Sequence, residues 1–174
     1  MRHSIPFLAD RYDLGQLGDG RPLTLAAMTT ASAQISATAA AASGPWAHYG
    51  YTPAQLTARL SPAPDGVARL EVRVGGDNAG CLLIRPNWLA GPYLQMIAVG
   101  AAFAGQGIGT TLLAWYERES QAAGPVRNVW LCVSGFNTGA QRLYHRHGYE
   151  LAARLDDLMR PGDDELLMRK RIVR

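Results

Sequence analysis

The sequence has few of the residues on which several functional classes depend. Only two of its 174 residues are cysteine, Cys81 and Cys132, and both stand in apolar, strand-like runs. We expect two buried thiols, because this count supports neither a disulfide framework nor a metal site. No stretch approaches the ~20 unbroken apolar residues of a membrane helix, and residues 1–10 lack the apolar run of a signal peptide. We therefore expect a cytoplasmic protein without a membrane partner.

The sequence also lacks a large excess of either positive or negative charge. Lys and Arg total 17 against 14 Asp and Glu, which leaves a net charge of +3, and Lys170 is the only lysine. This weak excess suits a small anionic ligand but does not predict a nucleic-acid partner. A hydrophobic fraction of 48% with 18% charged residues is typical of a folded globular chain. The length fits a single domain over residues 1–174.

Periodicity predicts an α/β domain with a mixed sheet. Residues 1–20 show little periodicity, so they form either a candidate N-terminal extension or a short strand with a loop. The predicted strands are Arg21–Met28, Leu70–Val74, Cys81–Ile84, Tyr93–Val99, Val129–Val133, Tyr149–Ala153 and Leu166–Val173. The predicted helices cover 31–43, 52–60, the stretch from the glycine cluster at 105–109 to Gly124, and 137–148. The first helix has Ile35 as its only large apolar residue, so we expect it to pack weakly.

A glycine-rich turn forms the first candidate site. The run Gly105-Gln106-Gly107-Ile108-Gly109 joins strand Tyr93–Val99 to a helix. Glycines let the backbone approach a ligand, and the free N–H groups at a helix N-terminus suit phosphate oxygens. The run lacks the Lys-Ser/Thr of an ATP-type P-loop and the spacing of a dinucleotide-binding turn. A tight turn that needs small residues for packing explains the run equally well.

The second candidate site is the pattern from Asn137 to Tyr149. Asn137 is suited to cap a helix on which Ala140, Leu143 and Tyr144 fall along one stripe. Tyr144 fits two roles. It is either a core aromatic residue on this stripe or a phenol at a cleft that donates a proton to a leaving group.

Taken together, the two patterns resemble the GNAT (GCN5-related N-acetyltransferase) family. The run Ile97-Ala98-Val99, the turn at 104–109, an amphipathic helix, a strand and the Asn137–Tyr149 pattern follow the family's order. The resemblance covers the element order of almost the whole chain. It implies a central mixed, mostly antiparallel sheet flanked by about four helices, with a splayed strand pair that forms the acyl-CoA cleft. It also implies an N-acetyltransferase that uses acetyl-CoA as cosubstrate, without a metal, and lets a primary amine attack directly in a ternary complex.

The resemblance implies roles for individual residues. The cofactor-binding set is Ile97, Ala98 and Val99 for the pantetheine arm, Gly105, Gln106, Gly107, Ile108, Gly109 and Thr110 for the pyrophosphate, Asn137 for the arm, and Arg146 for the 3′-phosphate. Tyr144 is the expected general acid that protonates the CoA thiolate. The expected acceptor contacts are Trp46, Tyr49, Gln95, Asp156 and Asp157.

Two departures from the family pattern affect these expectations. Ala104 stands where the family turn usually begins with Arg or Gln, which predicts weaker cofactor binding unless Gln106 compensates. Cys132 stands where members that acetylate protein N-termini carry a glutamate base, and Gln95 does not titrate. Water, a backbone carbonyl, Asp156 or Asp157 are then the candidate bases. The alternative function is an acyl-CoA-binding module that has lost catalysis. The expected partner is a small-molecule or peptide amine, and the expected state is a monomer or homodimer.

Overall fold

A computed structural model describes residues 6–122 and 124–172. In this part of the chain eight strands form one sheet in the order β1-β2-β3-β4-β5-β6-β8-β7. The strands are β1 (Arg11–Gln16), β2 (Pro22–Ala27), β3 (Ala68–Val74), β4 (Asp77–Trp88), β5 (Gly91–Val99), β6 (Asn128–Ser134), β7 (Glu150–Arg160) and β8 (Asp163–Arg171). The helices are α1 (Thr30–Ala41), α2 (Gly44–His48), α3 (Pro53–Leu60), α4 (Ile108–Ala122) and α5 (Thr138–Arg146), with a 3-10 turn at Ala101–Phe103. The described residues form five helices where about four were predicted, because α2 lies between the helices predicted over 31–43 and 52–60.

Neighbouring strands run antiparallel except β5 and β6, which run parallel. The prediction of a mixed, mostly antiparallel sheet is therefore confirmed. Alternate residues of β4 pack into the hydrophobic cores on the two faces of the sheet, because successive side chains of a strand point to opposite faces. Leu82 and Ile84 pack with α4 on one face, and Cys81 and Leu83 pack with α1 and α3 on the other.

The N-terminal segment belongs to the sheet. Residues 11–16 form β1, which pairs with β2 as the strand interpretation predicts. Phe7 is 1% exposed. Its ring lies 5.7 Å from Trp115 and 5.8 Å from Tyr116, centroid to centroid. The described part of this segment thus packs against the core.

Helix α1 packs closely, so the expectation of weak packing is wrong. Ala33, Ala37 and Ala40 are buried in the core shared with α3 and β4, while Ile35 is 56% exposed. Ser36 adds a hydrogen bond from its hydroxyl to the carbonyl oxygen of Gly80, at 3.3 Å. The small side chains let the helix backbone approach the sheet, so the helix does not need large apolar residues to be held there.

Strands β5 and β6 separate soon after they meet, which confirms the predicted splayed pair. Their register joins Tyr93 to Trp130 and Leu94 to Leu131, and no later pair follows between these described strands. The register of β5 against β4 shifts at Gln95, which is a bulge. Beyond this point, one edge of the β5 backbone faces a cleft instead of a neighbouring strand.

Tyr116 links β5 and β6 by hydrogen bonds at the point where the two strands still pair. Its side chain is fully buried, and its hydroxyl lies 2.8 Å from the carbonyl oxygen of Pro92 and 3.2 Å from that of Trp130. We expect Tyr116→Phe to lower the free energy of unfolding by about 1–3 kcal/mol, because buried acceptors lose their donor. Urea unfolding measures this loss. The control Tyr12→Phe removes a hydroxyl that donates to Glu119 at a partly exposed site and should cost less. Equal unfolding midpoints for both variants would contradict the inference that the Tyr116 hydroxyl stabilises the β5–β6 pair.

Candidate active site

The splayed strands open onto two adjoining cavities. The α1 arm has a volume of about 340 Å³ and lies between α1 and the end of β5. The β8 arm has a volume of about 270 Å³ and lies among α2, β5, β6 and β8. Both arms are lined by Pro45, Trp46, Ile97 and Asn137, so they meet at these residues. The arrangement is a cleft that crosses the sheet at the point where β5 leaves β6.

The residues predicted to contact pantetheine lie at this junction or line the α1 arm beside it. Ile97, Ala98 and Val99 pair with β4 along one edge and line the α1 arm along the other. Asn137 begins α5, where its Oδ1 accepts a hydrogen bond from the Ala140 N–H at 3.2 Å. The free edge of β5 is suited to pair with an extended chain that carries amide groups.

The glycine turn continues from the α1 arm. Gly105 and Gly107 have φ of +76° and +79°, and a Cβ added at either would meet no described atom within 4 Å. Ile108, Gly109 and Thr110 then form the first turn of α4, with Ile108 buried as its anchor. The turn therefore presents open backbone at a helix N-terminus, which suits phosphate oxygens.

The side chain of Gln106 is already bound within the protein. Its Oε1 accepts from Arg21 at 3.0 Å, and its Nε2 donates to the Ala102 carbonyl oxygen at 3.3 Å. Arg21 also pairs with Asp19 at 2.6 Å. Ala104 lines the α1 arm and offers no polar side chain. An arginine from the β1–β2 turn thus reaches the glycine turn, a neighbour that local sequence patterns do not reveal.

Tyr144 lies on α5 and lines the β8 arm, with its side chain 5% exposed. Burial raises the pKa of the Tyr144 hydroxyl above its ordinary value, and Cys132 nearby adds to the shift. The phenol therefore stays protonated near neutral pH, as a proton donor must. Arg146 is exposed near the end of α5, and it is not among the described residues that line either arm.

Three of the five predicted acceptor contacts, Trp46, Tyr49 and Gln95, line the β8 arm. The Oε1 of Gln95 accepts a hydrogen bond from the Arg85 Nε at 3.0 Å. Trp46 lies at the junction of the two arms. Trp46 and Tyr49 therefore both reach the cleft, Trp46 as part of α2 and Tyr49 as the residue that follows α2 and caps it.

Asp156 and Asp157 are not among the described residues that line the β8 arm. They were expected in the segment that joins the last two strands, but β7 continues through them to Arg160. Asp156 pairs with Arg154 at 3.0 Å, and Asp157 accepts from the Gly162 N–H at 2.7 Å. Their carboxylates are thus used within the β7–β8 hairpin, and neither residue joins Trp46, Tyr49 and Gln95 in the lining of the β8 arm.

Sequence reasoning missed Glu165, the one acidic side chain among the described residues that line the β8 arm. It lies on β8 opposite Ser134, is 7% exposed, and accepts a hydrogen bond from the Tyr49 hydroxyl at 2.6 Å. The available signal was an acid at the start of an apolar strand. The predicted strand began one residue later, at Leu166, so Glu165 was left outside it.

The groups around Glu165 retain their protons near neutral pH. Burial raises the pKa of Tyr49 to about 12, with a further contribution from its hydrogen bond to Glu165. Burial also raises the pKa of the Cys132 thiol to about 12, and Glu165 adds to this shift. Neither Tyr49 nor Cys132 is therefore suited to accept a proton near neutral pH.

Among the described residues, no group of three or more His, Cys, Asp or Glu side chains is arranged to hold a metal ion. No helix within 6–122 or 124–172 is long and apolar enough to span a membrane.

Comparison with known proteins identifies the family. Residues 34–149 match the model of the acetyltransferase (GNAT) family, so the chain belongs to this family, as the sequence patterns predicted. It is accordingly an acetyltransferase by family. No curated protein matches the chain significantly.

Solved structures share the fold at low sequence identity. The ribosomal-protein-S18-alanine N-acetyltransferase from Escherichia coli is 20% identical, with a TM-score of 0.69 over 87% of this chain and 95% of that one. A GNAT family acetyltransferase from Elizabethkingia anophelis with acetyl-CoA bound is 17% identical, with a TM-score of 0.56 over 62% and 77%. Nourseothricin acetyltransferase is 22% identical, with a TM-score of 0.56 over 63% and 68%. These matches support the fold class.

Proposed function

We propose that this chain is an acetyl-CoA-dependent N-acetyltransferase that transfers an acetyl group to a primary amine. The observation that carries the proposal is the pair of arms meeting at the splay of β5 and β6. One arm leads to the glycine turn, and the other contains a buried, protonated tyrosine. A thioester placed at the junction would face the β8 arm, which holds both a proton donor and an open route for an acceptor.

The residues at the α1 arm fit acetyl-CoA. In this proposal, the free edge of Ile97–Val99 pairs with the amides of the pantetheine group of acetyl-CoA, and Asn137 contacts the same group. The backbone N–H groups of 105–110 bind the pyrophosphate, helped by the positive end of the α4 dipole. Arg146 stays a candidate for the 3′-phosphate, on the exposed end of α5. The absence of a polar side chain at Ala104 leaves the backbone donors unchanged.

Direct transfer requires an attacking amine and a proton donor for the departing sulfur. An amine nitrogen entering through the β8 arm attacks the carbonyl carbon, and the C–S bond breaks. Tyr144 donates its hydroxyl proton to the departing sulfur. Trp46, Tyr49 and Gln95 hold the acceptor. Proteins with this fold include one named for the alanine of ribosomal protein S18 and one named for nourseothricin, so the fold accommodates peptide and small-molecule acceptors.

The proposal is tested by mixing the purified chain with acetyl-CoA and a panel of primary amines while free CoA thiol is recorded. We expect thiol release that depends on the amine, together with mass-spectrometric detection of the N-acetylated product. The matched control is the same panel already N-acetylated, which should give no release. Tight calorimetric binding of acetyl-CoA without turnover on any amine would instead identify the acyl-CoA-binding module.

A further inference from the structure

The β8 arm has walls that are mostly aromatic and apolar. Its described lining includes the rings of Trp46, Tyr49, Tyr51 and Tyr93 and the side chains of Met96, Leu158 and Met159. Leu158 and Met159 are exposed at its rim, on β7. Such walls favour the body of a ligand with apolar or flat groups rather than one with many charges.

Two lining side chains carry charge, Arg59 and Glu165. The Arg59 guanidinium lies over the Tyr51 ring, 5.5 Å from its centroid. Glu165 lies deeper, and it forms no ion pair with any described Arg, Lys or His side chain. A buried carboxylate without a counter-ion is costly, and its cost falls when a cation binds beside it.

The neighbouring polar side chains do not form an ion pair with Glu165, because they bind one another. His48 Nε2 lies 3.0 Å from Asp163, and Arg160 contacts both of these side chains. This trio lies on α2 and the β7–β8 hairpin. On β5 and β6, the groups that face Glu165 are the neutral Tyr93 hydroxyl and the Cys132 thiol.

The carboxylate is also held in a fixed position. The Tyr49 hydroxyl lies 2.6 Å from Glu165 Oε1 and 3.1 Å from the Ser134 hydroxyl. Ser134 is the register partner of Glu165 across β6 and β8. A carboxylate on a strand, oriented by a neighbouring tyrosine, is preorganised to receive a proton or a cation.

We propose that Glu165 receives the ammonium group of the acceptor and takes its proton, and that the acceptor is a primary monoamine with an apolar body. This inference rests on the proposed N-acetyltransferase function. The single carboxylate provides one place for a cation, and the Arg59 charge in the same arm disfavours a second cationic group on the ligand.

The proton balance of the step is complete. The ammonium group gives one proton to the Glu165 carboxylate, and the resulting neutral amine attacks the thioester carbon. The N–C bond forms, the C–S bond breaks, and the sulfur takes the Tyr144 proton. The nitrogen loses a second proton, which restores the Tyr144 phenol, and the amide keeps one. Glu165 then releases its proton to solvent, so the net products are the amide, CoA thiol and one proton.

The test uses 2-phenylethylamine as the probe amine. We expect Glu165→Gln to lower kcat/KM about 10²–10⁴-fold near pH 7, the usual effect of losing a general base. The affinity for acetyl-CoA should not change. The loss should shrink as pH rises and free amine becomes abundant, a response that a purely structural role for Glu165 would not give. Glu165→Asp, which keeps a carboxylate, should retain more activity than the glutamine variant.

Glu150→Gln is the matched control. Glu150 lies exposed on β7, so this change has the same chemistry outside both arms and should leave kcat/KM unchanged. Glu165→Gln with the kcat/KM of the parent protein would overturn the proposal while leaving the N-acetyltransferase function intact. Turnover of other amines but not of 2-phenylethylamine would overturn the apolar-monoamine acceptor. Acetyl-CoA binding without turnover of any amine would instead mean that the proposed function fails.

A second measurement needs no variant. With CoA bound, the parent protein should bind 2-phenylethylamine about tenfold or more tightly than its neutral isostere 2-phenylethanol, because hydrogen bonds to charged groups are the stronger class. Calorimetry at a pH where the amine is protonated measures both affinities. Equal affinities would overturn the role of Glu165 as the ammonium receptor, even where Glu165→Gln fails to fold.

Discussion

Replacing Tyr144 by phenylalanine should lower kcat about 10²–10⁴-fold, the usual effect of removing a general acid. The change deletes one hydroxyl from a buried ring that lines the β8 arm, so the ring continues to fill its place on α5. Acetyl-CoA affinity and the unfolding midpoint should stay close to those of the parent protein. Single-turnover measurement of thiol release, combined with calorimetric binding of acetyl-CoA, separates the chemical step from cofactor binding.

Tyr149→Phe is the matched control for this experiment. Tyr149 is also buried, with its ring centroid 6.1 Å from that of Tyr144, but it is not among the described residues that line either arm. Its loss of a hydroxyl should leave kcat unchanged. A Tyr144→Phe protein with the kcat of the parent would assign Tyr144 to the core stripe.

The pH dependence of the parent enzyme adds a second check on Tyr144. Burial raises the pKa of its hydroxyl above the ordinary value near 10. A proton donor is lost only as pH rises through its pKa, so deprotonation of Tyr144 should not reduce kcat at any pH below about 10. A fall in kcat at lower alkaline pH that persists in Tyr144→Phe would belong to another group.

The parts of the fold set by local patterns were predictable from the sequence. Strand Tyr93–Val99 is found as β5 over Gly91–Val99, and the glycine turn begins α4 as expected. Asn137 caps α5 through its own side chain, which its residue type already favoured. Each of these features depends on residues close together along the chain, so periodicity and capping rules apply.

The parts that were missed depend on pairing between distant segments. Strand β7 extends through Asp157 because it pairs with β8, and local polarity alone suggested a connecting loop. Glu165 reaches the cleft because β8 places it opposite Ser134 of β6, and α2 places Tyr49 above it. The burial of α1 was missed for a different reason. Its alanines are buried because the helix backbone lies close to the sheet, and the small size of these side chains did not indicate that they would be buried.

Gly107→Val should raise the Kd for acetyl-CoA about 10- to 100-fold, the equivalent of losing one hydrogen bond to a charged group. Gly107 has φ of +79° and open space where its Cβ would lie, so a branched side chain would project above the turn rather than into the core. The left-handed backbone at this position also costs valine about 1–2 kcal/mol of folding free energy relative to glycine. Calorimetric titration with acetyl-CoA measures the effect.

The backbone strain of Gly107→Val can be separated from its effect on the ligand. Gly66, in the loop before β3, has φ of +73° and the same open space, so Gly66→Val imposes similar strain away from both arms. Both variants should lose similar stability on thermal unfolding, and only Gly107→Val should bind acetyl-CoA more weakly. Unchanged affinity in Gly107→Val would place the phosphates away from this turn. If both variants bind acetyl-CoA equally weakly, the loss of affinity comes from backbone strain, because Gly66 lies outside both arms and does not contact the phosphates.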